Sequence, residues 1–181
     1  MNMKKLAYVL IFSIIVISGC TQQSTQQSNN DVVNVANCKF LKDVSGLPLF
    51  SKASGDIGNS IIQVTVTYNK ENKEEKYYTT VILAVMKSED PSAIQQLKDQ
   101  ANTAITSGVA EQCSIGSISG ICSESSGGLV PGITKSFIMF DEKSVKNVQY
   151  QIVPSEGSIA PKNITSEDLS PFIEMLKNCN P

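Results

Sequence analysis

Three carboxylate pairs, Glu89/Asp90, Asp141/Glu142 and Glu167/Asp168, are the residues of this 181-residue chain best suited by type to acid–base work. Two acids flanking a bond are enough to hydrolyse a glycoside without any other catalytic group. Each pair, however, falls at an expected turn or helix start, where water and the helix dipole favour the ionised form. Hydrolysis needs one carboxyl held protonated, so a carboxylate-dependent hydrolase is the weakest reading of these residues. Other chemistry is thinner still. The chain has no histidine and no tryptophan, and all fifteen of its basic residues are lysines. No imidazole is present to serve as base, metal ligand or near-neutral switch, and no guanidinium fork to grip phosphate or carboxylate in two places. Ser125-Ser126-Gly127-Gly128 has the composition of a nucleophile turn or an anion nest. Its base would have to be lysine, and no S-x-x-K spacing occurs, so it reads as a solvated loop. Calcium and nucleotide loops, D-x-[DN]-x-[DN]-G and G-x-x-x-x-G-K-[ST], are missing as well. The expectation is a protein that is not an enzyme, with no catalytic residue, no metal site and no cofactor.

Five cysteines carry the remaining side-chain chemistry. Cys20 follows Lys4 and Lys5, an apolar run from Leu6 to Ile17, and the small residues Ser18 and Gly19. This layout reads as a secretory signal peptide, the run being too short to cross a hydrocarbon core that needs about 20 residues. Ile17-Ser18-Gly19-Cys20 resembles the lipobox of prokaryotic lipoproteins. The resemblance covers residues 1–20 and implies that the Cys20 thiol is lipidated and that cleavage leaves it as the new N-terminus. Such an anchor places the rest of the chain on the outer side of the cytoplasmic membrane or in the cell envelope, held by acyl chains. An uncleaved anchor with an unmodified thiol leads to the same side.

Removing residues 1–19 also removes two lysines, which takes the net charge from −2 to −4. A mildly acidic body lacks the basic patch that nucleic-acid binding starts from. Thr21–Asn30, TQQSTQQSNN, has no apolar residue. It is expected to be a disordered tether that, with Cys20 and the residues to Asn37, makes a linker over 20–37. The other four cysteines, at 38, 113, 122 and 179, have neither zinc-site nor C-x-x-C spacing. An exported chain permits disulfides, and of the three connectivities the expected one joins Cys113 to Cys122 and Cys38 to Cys179.

The elements that must position these groups follow from periodicity. Lys39–Phe50 fits a short amphipathic helix. Ser60–Tyr68 alternates as a strand with Ile62, Val64, Val66 and Tyr68 on one face, and Tyr77–Met86 is its hairpin partner across the polar loop 69–76. Asp90-Pro91 starts a helix that carries Ile94, Leu97, Ala101, Ala104 and Ile105 inward and stops at Gly108. Val109–Lys135, broken by glycines, holds one or two short strands around a Cys113–Cys122 link. Two strands, Ser136–Phe140 and Val145–Val153, precede a final helix over 166–178, whose Pro171 suggests a short first turn with Ser170 capping the rest.

This order gives a single α+β domain over 38–181: a two-layer sandwich of an antiparallel sheet of about four to six strands with its helices on one face. The arrangement is similar in architecture to PsbP/Mog1-like small lipoprotein domains and to mycobacterial-type lipoprotein domains, which implies binding, sensing or assembly. The expected function is a membrane-anchored, non-catalytic binding domain for an envelope protein or small ligand, with an accessory subunit or assembly factor of an envelope complex as the alternative. Tyr68, Tyr77 and Tyr78, flanking the mixed-charge tip Lys70–Lys76, are candidate interaction residues. Asn163-Ile164-Thr165 matches a glycosylation sequon that chance alone explains. The position of Val109–Lys135 discriminates between partners: as the wall of an apolar cleft it favours a small molecule, and packed flat it favours a protein.

Overall fold

The computed structural model describes residues 32–56, 61–126, 132–155 and 163–181. The expected signal peptide over 1–19, Cys20 and the polar tract lie outside them, as do Gly127 and Gly128. The described chain is α+β, but its main sheet has eight antiparallel strands rather than four to six. In chain order the elements are β1 (Val32–Val35), β2 (Cys38–Leu41), β3 (Asp43–Val44), β4 (Leu47–Asp56), β5 (Ile61–Asn72), β6 (Tyr77–Ser88), α1 (Pro91–Thr106), β7 (Glu111–Ile115), β8 (Ile118–Ser126), β9 (Ile133–Phe140), β10 (Ser144–Pro154) and α2 (Ser166–Lys177).

Two meanders meet at a central seam. The sheet order is β3-β4-β5-β6-β10-β9-β8-β7, so consecutive hairpins build each half and the β6–β10 pair joins them in register from Ser144↔Lys87 to Pro154↔Tyr77. Helix α1 carries the chain from β6 to the far edge at β7. The hairpin β1–β2 forms a separate two-stranded sheet. It places an ordered strand, Val32–Val35, inside the stretch assigned to the linker.

The helix expected over 39–50 is three strands. Its apolar set satisfies period two as well as period 3.6: Cys38 and Phe40 are buried while Lys39 and Leu41 are exposed, and Val44 and Leu47 are buried on either side of a tight turn. Ser45 and Gly46 in that turn have φ of 56° and 78°, a left-handed pair that ends any helix. Asp43 Oδ1 closes it by accepting from the Gly46 amide at 2.8 Å.

The helices lie on opposite faces of the sheet, not on one. Along β6 the odd residues Val81, Leu83 and Val85 join the large core with Leu169, Phe172, Ile173 and Leu176 of α2. Met86, on the other face, packs with Ile94 of α1, Ile138 and Val145. Four fully buried apolar side chains on α2 represent on the order of 6–12 kcal/mol of gross burial. Helix α2 also touches β2, β6, β10 and β7. Since β7 is three strands beyond β10, the sheet must curve over the helix, which makes this the concave face.

Capping fixes both helix starts. Asp90 accepts from the Ser92 amide with Pro91 opening α1. In α2, Thr165 and Asp168 form a reciprocal capping box, and the helix runs unbroken through Pro171 rather than restarting at Ser170. Proline there forfeits only one backbone bond, early in the helix, and the flanking Leu169 and Phe172 are fully buried.

Candidate functional site

At the hairpin end of the concave face, between the β5–β6 tip, the β3–β4 turn and the start of α2, lies a cleft of about 520 Å³. Cross-strand register explains who meets there. Lys70 on β5 is opposite Thr79 on β6, and Asn72 is opposite Tyr77. Tyr150 on β10 is opposite Val81, one pleat along from Thr79 on the same face. The β3–β4 turn contributes Ser45 and Leu47, and the first turns of α2 contribute Asp168 and Phe172.

Two hydroxyls define the interior. Tyr150 and Thr79 are each only 8% exposed, line the cleft, and make no side-chain hydrogen bond to any described residue. Neither hydroxyl is itself enclosed, since the fully buried and unpartnered side-chain polar atom among the described residues is Asn147 Oδ1; both therefore open onto the cleft. Burial, with the charge of Asp168 and the neighbouring Tyr77, pushes the Tyr150 phenol up to about 12. Tyr77 is half-buried and accepts from Asn72 Nδ2 at 3.1 Å. Its phenol is also raised, first by the Glu75 carboxylate beside it and then by burial. Both therefore stay neutral, able to donate and to accept. The ring of Phe172 forms the floor, edge-on to Tyr68 and to Tyr150 at centroid distances of 5.4 and 6.2 Å.

The three tyrosines singled out by sequence part company. Tyr68 is fully buried, and its hydroxyl donates to the Leu41 carbonyl at 2.7 Å. Tyr77 lines the cleft. Tyr78 points from the opposite face, exposed, its hydroxyl donating to Glu71 at 3.4 Å. Lys70 and Thr79 meet within the expected β5–β6 hairpin, whereas Tyr150 joins them only through the β6–β10 pairing of residues about seventy positions apart, for which no local signal exists.

The carboxylate pairs are partly gathered, but by lysines. Glu89 and Asp141 come to one shallow surface, where Lys143 Nζ is 2.7 Å from Glu89 and Lys146 Nζ is 2.8 Å from Asp141. The Lys143 hydrogen bond holds the Glu89 carboxyl low. Bonds from Ser92 do the same for Asp90. At Asp141, partial burial pushes upward, but hydrogen bonds from Lys146 and Ser144 outweigh it and the net shift is downward. Asp168 is occupied by the cap, its Oδ2 accepting from the Thr165 amide and hydroxyl, both at 2.8 Å. A general acid requires the opposite shift.

The cysteines pair as expected: Cys38 with Cys179 and Cys113 with Cys122, at Cα separations of 4.5 and 5.8 Å. The second bridge spans the β7–β8 hairpin diagonally, since Cys113 faces Gly120 and Cys122 faces Glu111. That hairpin ends the sheet beyond β9 and contributes no residue to the lining of the Tyr150 cleft. No group of three or more metal-ligating side chains occurs among the described residues, and no described helix is long and apolar enough to cross a membrane. Protein-family models, curated proteins and solved structures were compared with this chain, and none of them matches it.

Proposed function

We propose that the chain is an exported lipoprotein, anchored through a lipidated Cys20 and carrying a disulfide-stapled, non-catalytic domain that binds a small polar ligand in the cleft around Tyr150. The observation that carries the binding reading is the pair Tyr150 and Thr79, residues about nine-tenths buried whose hydroxyls open onto the cleft and have no partner among the described residues. The anchoring reading rests on Ile17-Ser18-Gly19-Cys20 behind a basic and apolar leader, and two disulfides suit an oxidising compartment outside the cytoplasm.

Labelling with palmitate in the native host is expected to mark the wild-type chain and not Cys20→Ser. Release of unlabelled soluble wild-type protein would refute the anchor. For the cleft, small molecules retained by wild type and lost in both Tyr150→Phe and Thr79→Val support the reading, and identical retention by all three refutes it. A second reading, an accessory subunit or assembly factor of an envelope complex, is favoured by one feature, the edge strand β7, which among the described strands pairs with β8 alone. Mild crosslinking in cells followed by purification distinguishes it by the recovery of a stoichiometric protein partner joined through that edge.

A further inference from the structure

Resting on the cleft as a binding site, the geometry points to a small zwitterion as its occupant: a primary ammonium and a carboxylate on one molecule, in the size range of an amino acid or short peptide. An ammonium brings three N–H donors and no acceptor, so its site must offer oxygen lone pairs. Tyr150 Oη and Thr79 Oγ1 are two, on residues nine-tenths buried, open to the cleft and unpartnered among the described residues. Asp168 supplies a third: its Oδ2 takes both bonds from Thr165, and its Oδ1 accepts from no described residue. The carboxylate adds the charge that two neutral hydroxyls lack, and its field reaches the phenols of both Tyr150 and Tyr77.

Opposite charge stands on the other strand. Lys70 forms no ion pair among the described residues and sits directly across from Thr79. Its Nζ is 3.4 Å from where a side chain on Gly46 would begin, so the ammonium hangs over the β3–β4 turn at the cleft rim. A ligand carboxylate there has a partner while its ammonium faces Asp168. A neutral sugar gains nothing from this separation of charge, and a dianion is repelled by Glu167 and Asp168, both of which line the cleft. The volume of about 520 Å³ is in the range of small-molecule sites.

The test uses the full chain in detergent and calorimetric titration with glycine, glycylglycine and triglycine, their N-acetylated counterparts, ethylamine and glucose. At least one unblocked member is expected to bind, with acetylation weakening it about tenfold or more, as does loss of a charge-assisted hydrogen bond. Tyr150→Phe and Thr79→Val, which keep shape, are each expected to weaken it by about tenfold. Lys70→Met should weaken the zwitterion and leave ethylamine unchanged. Equal affinity for blocked and unblocked forms overturns the ammonium assignment. Binding of glucose alone, lost in Tyr150→Phe, overturns the zwitterion while keeping the cleft as a binding site. Silence from every probe, with the variants folded as wild type, overturns both.

Discussion

A methyl group on Gly120 would lie 2.5 Å from the Ile138 carbonyl oxygen and 2.6 Å from the Phe137 ring, closer than real contacts allow. The backbone of β8 therefore rests directly against β9 and its buried phenylalanine. Gly120→Ala is expected to lower the unfolding free energy by about 1–3 kcal/mol, read from urea denaturation. Tyr150 allows a prediction at high pH. Its folded phenol is pushed to about 12 from the ordinary 10.0, so its contribution to stability is complete below pH 10 and is lost as pH rises toward 12. Tyrosinate absorbance should show late ionisations in the wild type, of which Tyr150→Phe removes one and leaves the still later one of Tyr68, which burial also raises. Residue identity alone exposed part of this site: Tyr77 and the Glu167/Asp168 pair stood out by type and position. Tyr150 and Thr79 read as ordinary strand residues, because a hydroxyl acquires a role here only when strands remote in sequence bring it under α2.

At the scale of elements, what was legible depended on whether the signal was local. Asp90-Pro91 marks the start of α1 in the sequence and the helix begins there; the range of α2 follows from its apolar period, but its cap is Thr165 with Asp168 and not Ser170, to which Pro171 points. Thr165→Ala should cost about 1 kcal/mol by removing the cap, measurable by thermal or chemical unfolding. Lys39–Phe50 reads as helix because Phe40, Leu41, Val44 and Leu47 fit a period of 3.6, but in the strands Leu41 is exposed while Phe40, Val44 and Leu47 are buried, and the Ser45–Gly46 turn decides between the two. The strand count falls short at the other end of the sheet: β3 and β4 begin inside the stretch 39–50 that reads as helix, whereas the strands β7 and β8 lie where one or two are expected around the Cys113–Cys122 link. The two faces were equally hidden: both helices show one apolar stripe, and nothing in a stripe says which side of a sheet receives it. The cysteine pairs were readable, since a nine-residue separation at a hairpin and a tie between the two ends of the body are the economical choices. By the loop-entropy relation, Cys113→Ser/Cys122→Ser should cost about 2.5 kcal/mol and Cys38→Ser/Cys179→Ser about 5 kcal/mol, compared by urea unfolding without reductant.

Across the whole molecule, acid sensitivity should come from the lysine–carboxylate pairs that close the end of the sheet opposite the cleft. Glu89, Asp90 and Asp141 are all held below their ordinary values of 4.5, 3.8 and 3.8. Their contribution is thus present above about pH 4 and is lost as pH falls through the lower folded values. Asp141 matters most, because its partner Lys146 is nearly buried and also donates to the Lys177 carbonyl at 3.1 Å. Asp141→Asn should cost about 1–2 kcal/mol at neutral pH, less than a fully buried pair because Asp141 itself is half exposed, and should flatten the acid limb of stability against pH. The Cys38–Cys179 bond has a mechanical meaning too. It encloses a span of 141 positions in one covalent ring. Tension applied to a membrane tether ahead of β1 would enter at Cys38 and leave at Cys179, bypassing the sheet and the cleft it shapes. Pulled by its two ends, the oxidised chain can lengthen only outside that ring. Reduction should release roughly 480 Å of further contour length, at about 3.4 Å per residue, so under load the bridge would act as a strain relief for the Tyr150 cleft.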